Sequence, residues 1–161
     1  MASIINVDKI RATGSTTDGL TVASSGYVIM PQRPAFFARA ATQYSQTGII
    51  KYNDVTSTGC FNQGAHFSTT TYKFTAPVDG VYVFSNQVYT EGTNELSFTL
   101  YQNDVVVAGS RCNYTNAQNY LGISGSWTLY CDSGHEVYVS TGSTSHHTNS
   151  GYSYFSGHLA G

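Results

Sequence analysis

The stretch that most constrains this chain is residues 72–89, YKFTAPVDGVYVFSNQVY. Pro77-Val78-Asp79-Gly80 reads as a turn, because proline presets φ and glycine accepts a positive φ at the exit. Beyond it, Tyr82, Phe84 and Val88 alternate with Val81, Val83, Ser85 and Gln87. A period of two marks a strand with two environments, one of them a packed core. The expectation is strand, turn, strand: a structural hairpin with nothing catalytic in it.

Alternation continues down the chain. Leu96, Phe98 and Leu100 share a face, and Gln102-Asn103-Asp104 turns into Val105-Val106-Val107. Leu121, Ile123, Trp127 and Leu129 line another long strand, Val137 and Val139 the next, and Phe155 and Leu159 the last. That parity puts Trp127 in the core. Residues 35–41 and 49–55 read as strands, joined by a polar loop, and residues 56–70 as a glycine-broken connection. No segment has helical periodicity. The pattern predicts an all-β chain of about eight to ten strands in two face-to-face sheets, a jelly-roll sandwich.

The first 33 residues differ in character. Ile4, Ile5, Val7 and Ile10 form one short run, with Leu20-Thr21-Val22 and Tyr27-Val28-Ile29-Met30 as two more, separated by turns at Gly14, Gly19 and Gly26. Strands this short with so little apolar content cannot bury a core alone. They are expected to order only against other copies or another protein. Pro31 and Pro34 mark the joint, so residues 1–33 are read as an attachment or oligomerisation segment and residues 34–161 as the head domain.

Only 10% of the residues are charged, against about 25% in ordinary soluble domains. The surface must then be rich in hydroxyls and amides, or buried against copies of itself. The net charge is −2 and the cations are scattered, which argues against a nucleic-acid partner. No apolar run is long enough to insert in a membrane. The opening MASIINVDKI has no basic n-region or apolar h-region, so a complete chain of this kind is expected to stay out of a secretory route. Cys60, Cys112 and Cys131 fit no metal spacing. They are read as free thiols, with a Cys112–Cys131 bridge conceivable only between neighbouring strands.

The spacing Phe74-x-x-Pro77-x-x-Gly80-x-Tyr82-x-Phe84-Ser85 resembles the signature of the globular complement C1q domain, a relative of the tumour necrosis factor jelly roll. The resemblance continues in order through Pro34-Ala35-Phe36-Phe37-Ala38 and Phe61-Asn62, then Leu100-Tyr101-Gln102-Asn103-Asp104. It resumes from Leu129 through Val137-Tyr138-Val139 and closes at Tyr154-Phe155-Ser156-Gly157-His158-Leu159. Two positions depart from it: Tyr72 stands where many members have glycine, and Gly134-His135-Glu136 replaces Gly-Asp, removing a potential acidic ligand. The resemblance implies a jelly roll, a homotrimer, and calcium held near the trimer apex. No Gly-x-y repeat precedes the head, so the collagen stalk of complement relatives is absent. The Ile-x-Val-x-x-Ile opening with Gly/Ser/Thr-rich turns resembles N-terminal segments of tailed-phage structural proteins. That origin would account for the missing signal peptide, because a virion protein is made in the host cytoplasm.

No hydrolase or transferase constellation survives inspection. Gly122-Ile123-Ser124-Gly125 lacks the strand-elbow-helix context of a nucleophile motif, and Asp79, Asp104 and Asp132 sit at turns where aspartate satisfies backbone donors. The chain is read as a binding protein rather than an enzyme. With the first and last strands meeting at the base, as the resemblance implies, residues 42–48, 90–95, 112–119 and 143–151 become the distal loops. They carry Tyr44, Gln46, Asn94, Asn113, Tyr114, Asn116, Gln118 and Asn149, a set with aromatic faces and amides suited to sugar; solvated loops also have this composition. Adjacent His146 and His147 near a three-fold axis would suit a transition metal, while Glu91 and Glu95 are better calcium candidates because calcium takes oxygen ligands. No cofactor is required, and calcium or another divalent metal at the apex is the only one implied.

These readings converge on a homotrimeric phage fibre or spike protein. Residues 1–33 would join other virion proteins, and the head would recognise a host-surface glycan or protein. A capsid or tail decoration protein is the alternative, and a soluble C1q-like lectin a further one.

Overall fold

The computed structural model describes the backbone of residues 7–41, 47–142 and 151–160, and the side chains of all of these except 91–94 and 117–119. The chain divides into two compact units, Met1–Arg33 and Pro34–Gly161. In the first, β1 (Lys9–Ile10), β2 (Leu20–Val22) and β3 (Val28–Ile29) form an antiparallel sheet in that order. Asp18 ties its rim together by pairing with both Lys9 and Arg11. None of residues 7–33 is buried, as expected of strands only two or three residues long.

The second unit holds β4 (Ala35–Arg39), β5 (Gly48–Ile49), β6 (Phe61–Gln63), β7 (Phe74–Thr75), β8 (Gly80–Gln102), β9 (Val105–Cys131), β10 (Glu136–Thr141) and β11 (Tyr154–Leu159). It is built on one antiparallel ribbon, because β8 and β9 pair from Gly80↔Cys131 to Gln102↔Val105. Asn103 and Asp104 close the ribbon with φ of 49° and 62°, the left-handed pair that a two-residue hairpin turn needs. The first half of β8 pairs with β11, which pairs with β4 and then β6. The second half of β8 pairs with β10, which carries β7 and β5 on its far side. One ribbon therefore runs up one sheet and down the other.

The place where it crosses is visible in the register. Thr93 faces Gln118 and Glu95 faces Asn113, so Asn94 alone stands opposite Tyr114, Thr115, Asn116 and Ala117. Extra residues on one strand bend a ribbon and raise its twist. The two sheets enclose a core in which Phe36 stacks on Phe67 at 4.6 Å and meets Phe74 at 5.2 Å and Phe155 at 5.1 Å. Tyr82, Phe84, Val88, Leu96, Phe98, Leu100, Val137 and Val139 complete it, all but inaccessible. Trp127 faces this core but is only partly buried, edge-on to Phe98 at 5.6 Å.

All-β architecture and the inward sets agree with the alternation, and no helix occurs among the described residues. Three expectations need correction. Residues 72–89 do not form a hairpin: β7 pairs with β10, whereas both sides of β8 over this stretch are taken by β9 and β11. The Pro77–Gly80 turn therefore carries the chain from one sheet to the other. Residues 49–55 do not form one continuous strand: the Ile50 amide still donates to the Val139 carbonyl, Asp54 makes an isolated bridge with Arg39, and the Asp54 carboxylate then accepts from the Thr56 and Ser57 amides, each at 3.0 Å, where the chain turns. Lastly, residues 90–95 and 112–119 are not loops: they lie within β8 and β9, which pair on both sides of the irregular step between Thr93 and Glu95. The same ribbon settles the thiols: Cys112 and Cys131 both lie on β9 rather than on neighbouring strands, and all three cysteines are free.

Candidate recognition and assembly surfaces

Two surfaces of the second unit stand out, and strand register builds both. On the outer side of the β4–β11–β8–β9 sheet, Phe37, Ser156, Ser85 and Ser126 form one row across four strands, and Arg39, Tyr154, Gln87 and Ser124 the next. Phe37 stacks on Tyr154 at 5.2 Å, and the Ser85 hydroxyl donates to that of Ser126 at 3.0 Å. Val83 with Thr128, and Val81 with Tyr130, extend this side toward the end that holds Pro34 and Leu159. Charge is nearly absent. Arg39 is spoken for by Asp54 at 3.4 Å, and among the described side chains of these rows His158 is the other one of a basic or acidic residue type.

Toward the crossing of the ribbon the face becomes aromatic. Gln87 Nε2 donates to the Tyr152 carbonyl at 2.8 Å, and the Tyr89 amide donates to Ser153 Oγ at 3.1 Å. These bonds extend the β8–β11 ladder past its last backbone pair and lay Tyr152 on Tyr89, with ring centroids 4.9 Å apart. Tyr120 flanks Tyr89 on the other side at 6.0 Å. Tyr120 and Tyr152 are exposed by 67% and 53%, so three near-parallel tyrosines lie open on the outer face. Tyr89 shares the parity of Val81, Val83, Ser85 and Gln87 along β8; the other two meet it only through cross-strand register, which local pattern does not reveal.

The second surface is the crossing itself. Asn113, Tyr114 and Asn116 lie on the bulged part of β9, all exposed. Glu91 pairs with Tyr120 and Gln118 with Thr93 along the ribbon, while Asn94 occupies the bulge; their side chains lie outside the described set. Tyr44, Gln46, His146, His147 and Asn149 fall outside the described residues. Glu95 pairs with Arg111 at 2.9 Å across the ribbon. Among the described residues no group of three acidic, histidine or cysteine side chains is placed to hold a metal.

Several turn residues act as scaffolding. Asp79 accepts from the Ser133 amide at 2.7 Å, tying the Pro77–Gly80 turn to the β9–β10 turn. Asp104 instead accepts from the Tyr138 hydroxyl at 2.8 Å, and burial first, then that carboxylate, push the phenol up to about 12. Asn62, in the Phe61-Asn62 pair, donates to the Phe67 carbonyl at 2.7 Å and accepts from its amide at 3.1 Å, pinning the chain that carries Phe67 into the core. His135, where the resemblance expected an acid, lies 3.0 Å from Gln102 Nε2 and closes a turn.

Fold and faces together define a jelly-roll sandwich with an uncharged outer sheet. The family model of the C1q domain matches residues 35–160, and the chain belongs to the C1q domain family. Among solved structures it is similar to the globular domain of zebrafish complement 1qA protein, at 25% identity and a TM-score of 0.63, covering 80% of this chain and 98% of that one. The family is one of recognition and structural domains that typically form trimers.

Proposed function

We propose that this chain is a homotrimeric virion fibre or spike protein, not an enzyme, whose C1q head recognises a host-surface receptor, with glycan as the favoured class. Residues 1–33 fasten it to other virion proteins. The observation that carries the reading is the outer β4–β11–β8–β9 face, with its serine rows, aromatic pairs and near absence of charge. Surfaces left to solvent are normally studded with Lys, Glu, Asp and Arg, and depletion of charge marks the centre of a protein contact. With that face turned inward on a three-fold axis, the ribbon crossing with Tyr114, Asn113 and Asn116 is what each head presents. Tyrosine offers a ring for a sugar's apolar side and the amides bond its hydroxyls. Three weak sites per trimer, multiplied over a particle, give avidity without any deep pocket.

A glycan array probed with the purified protein tests this. The double variant Tyr114→Ala with Asn116→Ala is expected to keep the oligomeric mass and lose array binding and particle adsorption. Unchanged adsorption would remove recognition from this surface and leave a stabilising decoration of the particle as the better reading.

A further inference from the structure

The first unit raises a separate question, because one side of its sheet is apolar and largely exposed. Ile10 pairs with Leu20, and Val22 with Val28, so these four side chains share one face, which Met30 extends by strand parity. Ile10, Val28 and Met30 are exposed by 54%, 58% and 48%. The opposite face carries Lys9, Thr21 and Ile29, with the Lys9 ammonium held by Asp18 at 2.8 Å. Among the described residues Asp8 and Asp18 have the parity of the apolar face; both precede their strands and so lie at its rim, and Asp18 is paired with Lys9 and Arg11.

We propose that this apolar face closes against the same face of two further copies of the chain, making a small three-sided core at the N-terminal segment. The inference rests on the trimeric reading of the head and adds to it the occupant of this face. Three arguments choose copies over a foreign partner. A sheet of strands this short has no independent stability, so its cover must be present whenever the chain is folded. Three heads in one assembly hold three such segments at the millimolar effective concentrations typical of short connections, and only Pro31, Gln32 and Arg33 separate Met30 from the head. Finally, Ile10, Leu20, Val22, Val28 and Met30 bring no charge or hydrogen-bonding side chain, so like faces meet without stranding a polar group, while Lys9, Arg11 and Asp18 pair with one another.

Cysteine trapping in the full-length protein tests this. Val28→Cys and Ile10→Cys place a thiol on the apolar face, and Thr21→Cys places one on the opposite face as control. Each is oxidised mildly at sub-micromolar concentration beside the unaltered protein, which reports any crosslinking through Cys60, Cys112 and Cys131. The expected result is loss of most of the monomer band to covalent dimer for Val28→Cys, and for Ile10→Cys should the first variant fold poorly. Thr21→Cys should not rise above the unaltered protein. Equal crosslinking from both faces, or none from either while light scattering still returns a trimer, overturns the proposal and leaves the head's trimerisation standing. A monomer by light scattering overturns both.

Discussion

Tyr72 holds a φ of +61°, a region that costs an L-residue with a Cβ roughly 1–2 kcal/mol. The resemblance places glycine there, and the backbone explains why: the Tyr72 amide closes a turn onto the Ser68 carbonyl at 2.7 Å. Tyr72→Gly should raise stability by about 0.5–1 kcal/mol in urea unfolding, since relief of strain outweighs the added freedom of the unfolded chain. Tyr72→Val, β-branched at the same φ, should lower it. Asp54 supports a pH prediction. Hydrogen bonds from the Ser57 hydroxyl first, then the Ser57 and Thr56 amides, hold its carboxyl far below the usual range. A depressed pKa gives stability that is complete above the unfolded value, near 4, and is lost as pH falls from there toward the folded value. Asp54→Asn should therefore flatten the loss of stability below about pH 4. A variant as acid-sensitive as the parent would contradict this. Neither position was legible from pattern: strain shows in φ, and a capping carboxylate shows only once its loop is closed.

Among the elements, β11 shows how tightly the sheets are fitted. Gly157 lies between two rings, and a Cβ built there would come within 2.6 Å of Phe84 and 2.8 Å of Phe36. Gly157→Ala should destabilise the head by about 1–3 kcal/mol, as overpacking does, with a matching fall in Tm. No change in Tm would mean that the two rings have room to move. The motif Phe-Ser-Gly-x-Leu was readable in the chain, and so were the inward sets of β8, β10 and β11, because a period of two is a local signal. Which strands pair is not local. The alternation of residues 81–89 was correct while the partner of that strand was not, since a turn at Pro77–Gly80 serves a crossover as well as a hairpin. The ribbon crossing failed to register for a related reason: Gly92, Asn94 and Asn116 have the composition of loops, yet they lie within β8 and β9, Gly92 between paired residues and Asn94 and Asn116 in the irregular step between Thr93 and Glu95. Tyr114 and Asn113 were nominated as loop residues and lie on a bulged strand, whereas Tyr89, Tyr120 and Tyr152 come together from β8, β9 and the turn before β11, which no single window spans.

At the scale of the molecule, low charge and abundant tyrosine find a common reason. The outer β4–β11–β8–β9 face spends its surface on Phe37, Tyr154, Tyr89, Tyr152 and rows of serine, a composition that serves contact between proteins better than contact with water. Homotrimeric display is the claim on which the receptor reading and the closed N-terminal face both depend. The mass of the full-length protein in solution, by light scattering at micromolar concentration, tests it most directly. The account predicts the mass of three 17.4-kDa chains, unchanged on further dilution through the micromolar range. A stable, folded species with the mass of a single chain would contradict it.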